Sequence, residues 1–121
     1  MAVPSESTII FKSRDELLRL NVNDIVCFKA DDNTTIIVLL NEAKYTLCMS
    51  LTAVESALTS SLGSAASRFA RVGKSHIINL GLVQHISVPH RRVILCRGLA
   101  KPFAIQVSRE AIRALKRLFS Q

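Results

Sequence analysis

Apolar and polar positions alternate with a period of two through much of the first half of the chain. Ile9, Phe11 and Ser13 alternate with Lys12 and Arg14, and Leu18 and Leu20 flank Arg19. Asp24–Ala30 (DIVCFKA), Thr35–Leu40 (TIIVLL) and Lys44–Met49 (KYTLCM) are rich in β-branched and aromatic residues, which predicts strands. Asp31-Asp32-Asn33-Thr34 and Asn41-Glu42 are clusters of turn formers between them. Strand, turn and strand in repetition predict antiparallel meanders, because short turns can join only antiparallel neighbours.

The period then changes. Leu51, Val54, Leu58 and Leu62 fall on one face of a helix that Ser50 can cap. Thr52 and Glu55 have capping-box spacing, so the start is defined to within a couple of residues. Gly63–Ser67 reads as a loop, Phe69–Val72 as extended chain, and Ser75–Asn79 as a tight piece leading to Leu80-Gly81-Leu82. Strands are predicted at Val83–Val88, Val93–Arg97 and Phe103–Val107, broken by Pro89-His90-Arg91, Gly98 and Pro102. Ser108 caps a closing helix whose apolar face is Ala111, Ile112, Leu115 and Phe119. The pattern is that of a mainly β (α+β) chain with two short helices. No internal repeat, low-complexity segment or linker interrupts it.

The 121 residues suffice for one ordinary domain with its own core. With 49% apolar and 21% charged residues, disordered and collagen-like chains are excluded. The longest apolar run, Ile36–Leu40, is far short of a membrane span of about 20 residues. Residues 1–7 lack the basic and apolar segments of a signal peptide. Three widely spaced cysteines, Cys27, Cys48 and Cys96, predict free thiols and a cytoplasmic location rather than a disulfide framework.

Charge changes the picture most. Residues 1–60 carry five basic and eight acidic side chains, and residues 61–121 carry eleven basic ones and Glu110 alone. A half at +10 beside one at −3 points to a polyanionic partner, with a merely solvated basic face as the alternative. One Tyr and no Trp make a poor stacking platform for single strands. No helix pair is joined by a short turn, and there is no zinc-finger spacing or heptad run, so any duplex contact falls to strands and loops.

Catalytic signals are absent. His76, His85 and His90 have no ligand spacing; His76 reads as a core histidine, His85 as solvent-facing and His90 as a phosphate contact in a basic turn. There is no GxSxG elbow, and Gly73-Lys74-Ser75 lacks the earlier glycine of a P-loop. The cysteines lie in apolar strands and read as small buried hydrophobes. No cofactor or metal is expected. Among the cations, Arg113, Lys116 and Arg117 suit a solvated helix face. Arg109 stands at a helix start, where the dipole disfavours a cation. That placement suggests a guanine or phosphate contact, or a salt bridge to Glu110 or Glu6.

Taken together, Asp24–Ala30, Met49-Ser50-Leu51, Phe69–Asn79 (FARVGKSHIIN) and Gln106-Val107-Ser108-Arg109 resemble the LytTR family of bacterial DNA-binding domains. The match is in order, at family spacing, and covers nearly the whole chain. The resemblance implies a fold of small antiparallel sheets and short helices in one domain, with a core over about residues 7–119 and no receiver domain in this chain. It implies a transcription regulator that reads duplex DNA with loops, two copies binding paired direct repeats. The first reading loop is Asp31–Thr35, with Asp32, Asn33 and Thr34 at its tip. The second holds Gly73, Lys74 and Ser75, with Arg71 just before it. The third is Ser108 and Arg109, and Arg92 matches a position that favours a backbone contact. Two departures stand out: Gly73 replaces the usual His, and the first loop has neither His nor Lys. The other reading is a basic β-rich module for RNA or an acidic protein.

Overall fold

The computed structural model describes residues 7–120. Strands β1 (Thr8–Lys12) and β2 (Leu17–Asn21) form an antiparallel hairpin. Five strands follow in one antiparallel sheet: β3 (Ile25–Asp31), β4 (Thr34–Leu39), β5 (Lys44–Leu47), β6 (Phe69–Val72) and β7 (His76–Asn79), in the order β5-β4-β3-β7-β6. Helix α1 (Leu51–Leu62) links β5 to β6. Strands β8 (Val83–Ser87), β9 (Arg92–Leu95) and β10 (Phe103–Gln106) make a third antiparallel sheet, followed by α2 (Arg109–Leu118).

The central sheet is buried on both faces, which explains its continuous apolar runs. Ile25, Phe28, Ile37 and Ile77 pack with α1 and the β1–β2 hairpin around Phe11 and Phe69. Phe28 meets both rings edge-on, with centroids 6.1 and 5.7 Å away. Val26, Cys27, Val38 and Ile78 point the other way, toward Val93, Leu95 and Ile105 of the third sheet and Ile112 and Leu115 of α2. Simple alternation would put Ile25 and Cys27 on one face. A bulge between them in the β3–β4 register turns Cys27 to the second core and returns Phe28 to the first.

Asn79, at the end of β7, ties β3 to the turns that precede β3 and follow β7. It is fully buried; its Nδ2 donates to the carbonyls of Ile25 and Val22, and its Oδ1 accepts from the Gly81 amide. Ser50 and Ser108 cap the helices as the sequence predicts, accepting from the Ala53 and Ala111 amides.

The differences from the sequence reading are local. Gly63–Arg68 forms 3-10 turns instead of an open loop. β5 ends at Leu47, which leaves Cys48 exposed beyond the strand, and Cys96 half-buried lies just past β9; only Cys27 is a buried hydrophobe. Phe119 lies just past the end of α2 and is 51% exposed, so the helix buries only Ile112 and Leu115. Arg92 already belongs to β9, one residue before the predicted strand start at Val93.

Candidate nucleic-acid interface

Two connections of the central sheet lie at one end of the molecule because of strand direction. β3 runs to this end and returns through Asp32 and Asn33 into β4. β6 runs to it and returns through Gly73–Ser75 into β7, which pairs with β3 from Lys29↔His76 onward. The Ala30 amide donates to the Ser75 carbonyl at 2.8 Å, locking the two turns side by side.

Gly73 sits at φ +66°, in the region a side chain resists, and this shapes the turn that presents Lys74 and Ser75 to solvent. Arg71 braces the turn from behind. Its Nη2 donates to the Lys74 carbonyl at 3.3 Å, and its Nη1 donates to Thr52 Oγ1 at 3.0 Å and Glu55 Oε1 at 3.2 Å. Thr52 and Glu55, which have capping-box spacing in the sequence, therefore anchor Arg71 to the first turns of α1.

The second basic stretch joins the same end through the third sheet. The turn after β8 carries Arg91 at φ +52°. It is stitched to the end of β10: the Val107 amide donates to the Arg91 carbonyl, and Gln106 Nε2 donates to the His90 carbonyl. His90 Nδ1 and Ser87 Oγ share a hydrogen bond at 2.8 Å. Between this stretch and the Gly73–Ser75 turn lies an open cleft of about 690 Å³, lined by Lys74, Ser75, His76, Arg91, Ser108 and Glu110 among others. Arg109 is exposed beside it at the first position of α2.

Charge follows the same geography. The ion pairs among the described residues are Arg71–Glu55 here and Lys101–Glu42 at the opposite end. Lys74, Arg91, Arg92 and Arg109 are exposed and outside any ion pair among the described residues. Arg109 thus makes no bridge to Glu110, and Glu6 lies outside the described residues. His76 is not a core residue but a half-buried wall of the cleft; burial, then the Lys29 ammonium, holds its pKa below the ordinary value. His85 faces solvent as expected.

The first loop is tighter than the sequence suggests. Asp32 and Asn33 alone form it, with Asp32 at φ +54°, and Thr34 already belongs to β4. Thr34 Oγ1 donates to the Asp31 carbonyl. Thr35 is fully buried and donates to the Met49 carbonyl at 2.9 Å, so it holds the approach to α1 and is not part of a surface loop. In the sequence Arg91 reads only as part of the Pro89-His90-Arg91 break and Gln106 only as part of the last motif, neither as a site residue. A turn formed around a basic pair was the available signal for the first; nothing local marks the second.

Loops from two sheets and a helix start converge beside one basic cleft in a β-rich domain, with no helix pair beside it among the described residues. The chain belongs to the LytTR family: the model of the LytTr DNA-binding domain matches residues 15–120. It is a DNA-binding family, not an enzyme family, and it makes DNA the partner of this chain. The structure is similar to the LytTr DNA-binding domain of a Bacillus cereus protein assigned as a methyl-accepting/DNA response regulator, with a TM-score of 0.64 and 20% identity over 95% of this chain and 98% of that one. That likeness shows the fold. No curated protein matches the chain. Among the described residues no helix is long and apolar enough to cross a membrane.

Proposed function

We propose that the chain is a sequence-specific regulator that reads duplex DNA with loops. The observation that carries this reading is the convergence of Lys74, Arg91, Arg92 and Arg109, all exposed and free of ion pairs among the described residues, at one end of the molecule. Arg109 reads a base and Ser108 steadies the helix start beside it, its hydroxyl holding the Ala111 amide. Lys74, Ser75 and Arg92 meet the phosphate backbone. Asp32, Asn33 and Thr34 touch DNA lightly, since two exposed aspartates, Asp31 and Asp32, repel phosphates and Asn33 suits adenine. Arg71 positions the Lys74 carbonyl. Two copies on paired direct repeats fit the family.

Salt titration tests it. Each neutralised phosphate contributes about −0.9 to the slope of log K against log salt, so Lys74→Ala with Arg92→Ala flattens the slope by about 2. Lys44 begins β5 at the far end of the sheet, and Lys44→Glu leaves the slope nearly unchanged. Equal effects from Lys44 and the pair, or equal competition by RNA and duplex, would contradict the reading.

A further inference from the structure

His76 lines the cleft at the basic end of the molecule. The half-buried ring opens β7 and lines the cleft between the Gly73–Ser75 turn and Ser108. It has no hydrogen-bond partner within the described residues. Its neighbours on β3 and β6 are Lys29 and Val72, which stand opposite it in the two registers. Across and along the cleft lie Lys74 from its own turn, Arg91 from the turn after β8, Gln106 and Ser108 beside α2, and Glu110 in its first turn. Lys29 thus stands directly opposite the ring, and Lys74, Arg91 and Glu110 line the same cleft.

We propose that His76 is a proton-linked DNA contact: as a backbone phosphate enters the cleft, the ring takes up a proton and donates its N–H to the phosphate, so duplex affinity rises as the pH falls. The inference rests on the DNA-facing reading of this end. In the free protein partial burial, then the Lys29 ammonium, keep the ring neutral at neutral pH. A phosphate reverses the balance. It offsets the Lys29 charge and supplies an acceptor for the charged ring. Binding and protonation then strengthen one another reciprocally.

The test is duplex affinity at fixed ionic strength from pH 8 to 5.5 for the wild type, His76→Gln and His85→Gln. His85→Gln is the control because His85 faces solvent on β8 and has no part in the cleft. Wild type and His85→Gln should bind several-fold more tightly at pH 5.5 than at pH 8, with a tenfold gain for each pH unit by which DNA raises the ring's pKa. His76→Gln should lose most of that gain while still binding at pH 8. Calorimetry of the wild type in two buffers of different ionisation enthalpy should show proton uptake near pH 6.5, and this readout does not depend on any variant folding. Zero uptake, or a His76→Gln profile equal to wild type, overturns the proposal with DNA binding intact. Failure to bind duplex at any pH overturns the DNA-facing reading, and this inference with it.

Discussion

Arg71 offers a sharp test of how the interface is built, because its sequence position suggests a DNA contact while its guanidinium is engaged inside the protein. Arg71→Ala removes hydrogen bonds to Thr52, Glu55 and the Lys74 carbonyl. The Arg71 and Glu55 side chains are 28% and 50% exposed, so the ion pair is worth about 0.5–1 kcal/mol after screening. The other two bonds add about 0.5–1 kcal/mol each. The variant should lose about 2 kcal/mol of stability, or roughly 6–10 °C in Tm for a domain of this size. Freed of its brace, the Gly73–Ser75 turn must be ordered by DNA on binding, which costs several-fold in affinity. The decisive measurement is the salt slope by fluorescence anisotropy. A positioning role leaves it within about 0.3 of wild type; a phosphate contact flattens it by about 0.9. Arg71→Lys separates the two again. It keeps the charge but cannot fork to three partners, so affinity should fall with the slope unchanged. A flattened slope in Arg71→Ala together with wild-type affinity in Arg71→Lys would refute the positioning role.

Other outcomes follow from the same structure. Asn79→Ala strands the Val22 and Ile25 carbonyls and the Gly81 amide in a buried site, and chemical denaturation should show a loss of about 3 kcal/mol. Gly73→Ala should cost about 1 kcal/mol through its φ of +66° alone, since the added Cβ would meet nothing closer than Ala111 at 3.8 Å. Burial pushes the Cys27 thiol up to about 12, while Cys48 is exposed; a thiol reagent at pH 8 should modify Cys48 quickly and Cys27 only on unfolding. Because the folded Cys27 pKa lies above its unfolded value of 9.0, its contribution to stability is full below pH 9 and is lost as the pH rises toward 12.

The sequence revealed the strands of the central sheet because a sheet buried on both faces needs unbroken β-branched runs, and IVCF and IIVL supply them. It revealed both helices through serine caps and apolar spacing. It hid the fate of Cys48, because a pattern shows that a strand exists better than where its edge frays. Phe119 misled for a related reason: helical spacing put it on the apolar face, yet α2 ends before it and the core stops at Leu115. The recognisable motifs singled out Lys74, Arg92 and Arg109 as candidates. What brings them together was not legible. The bond from Ala30 to Ser75, the stitching of Arg91 to Val107, and the partnership of Arg71 with Glu55 sixteen positions away all depend on which strands pair. His76 misled for the same reason, since an apolar neighbourhood in sequence became the wall of a cleft in space.

The claim that loops of the basic half read sequence is tested most directly at Arg109. Its exposed side chain stands at the first residue of α2, where the helix dipole works against it and no ion pair among the described residues compensates. Duplexes selected from a random library supply the specific site, and affinities of wild type and Arg109→Ala are measured on that site and on random duplex at one salt concentration. The account predicts a loss of about 1–3 kcal/mol on the selected site and a far smaller loss on random duplex. Equal losses on both would reduce Arg109 to a phosphate contact and contradict base reading by this loop.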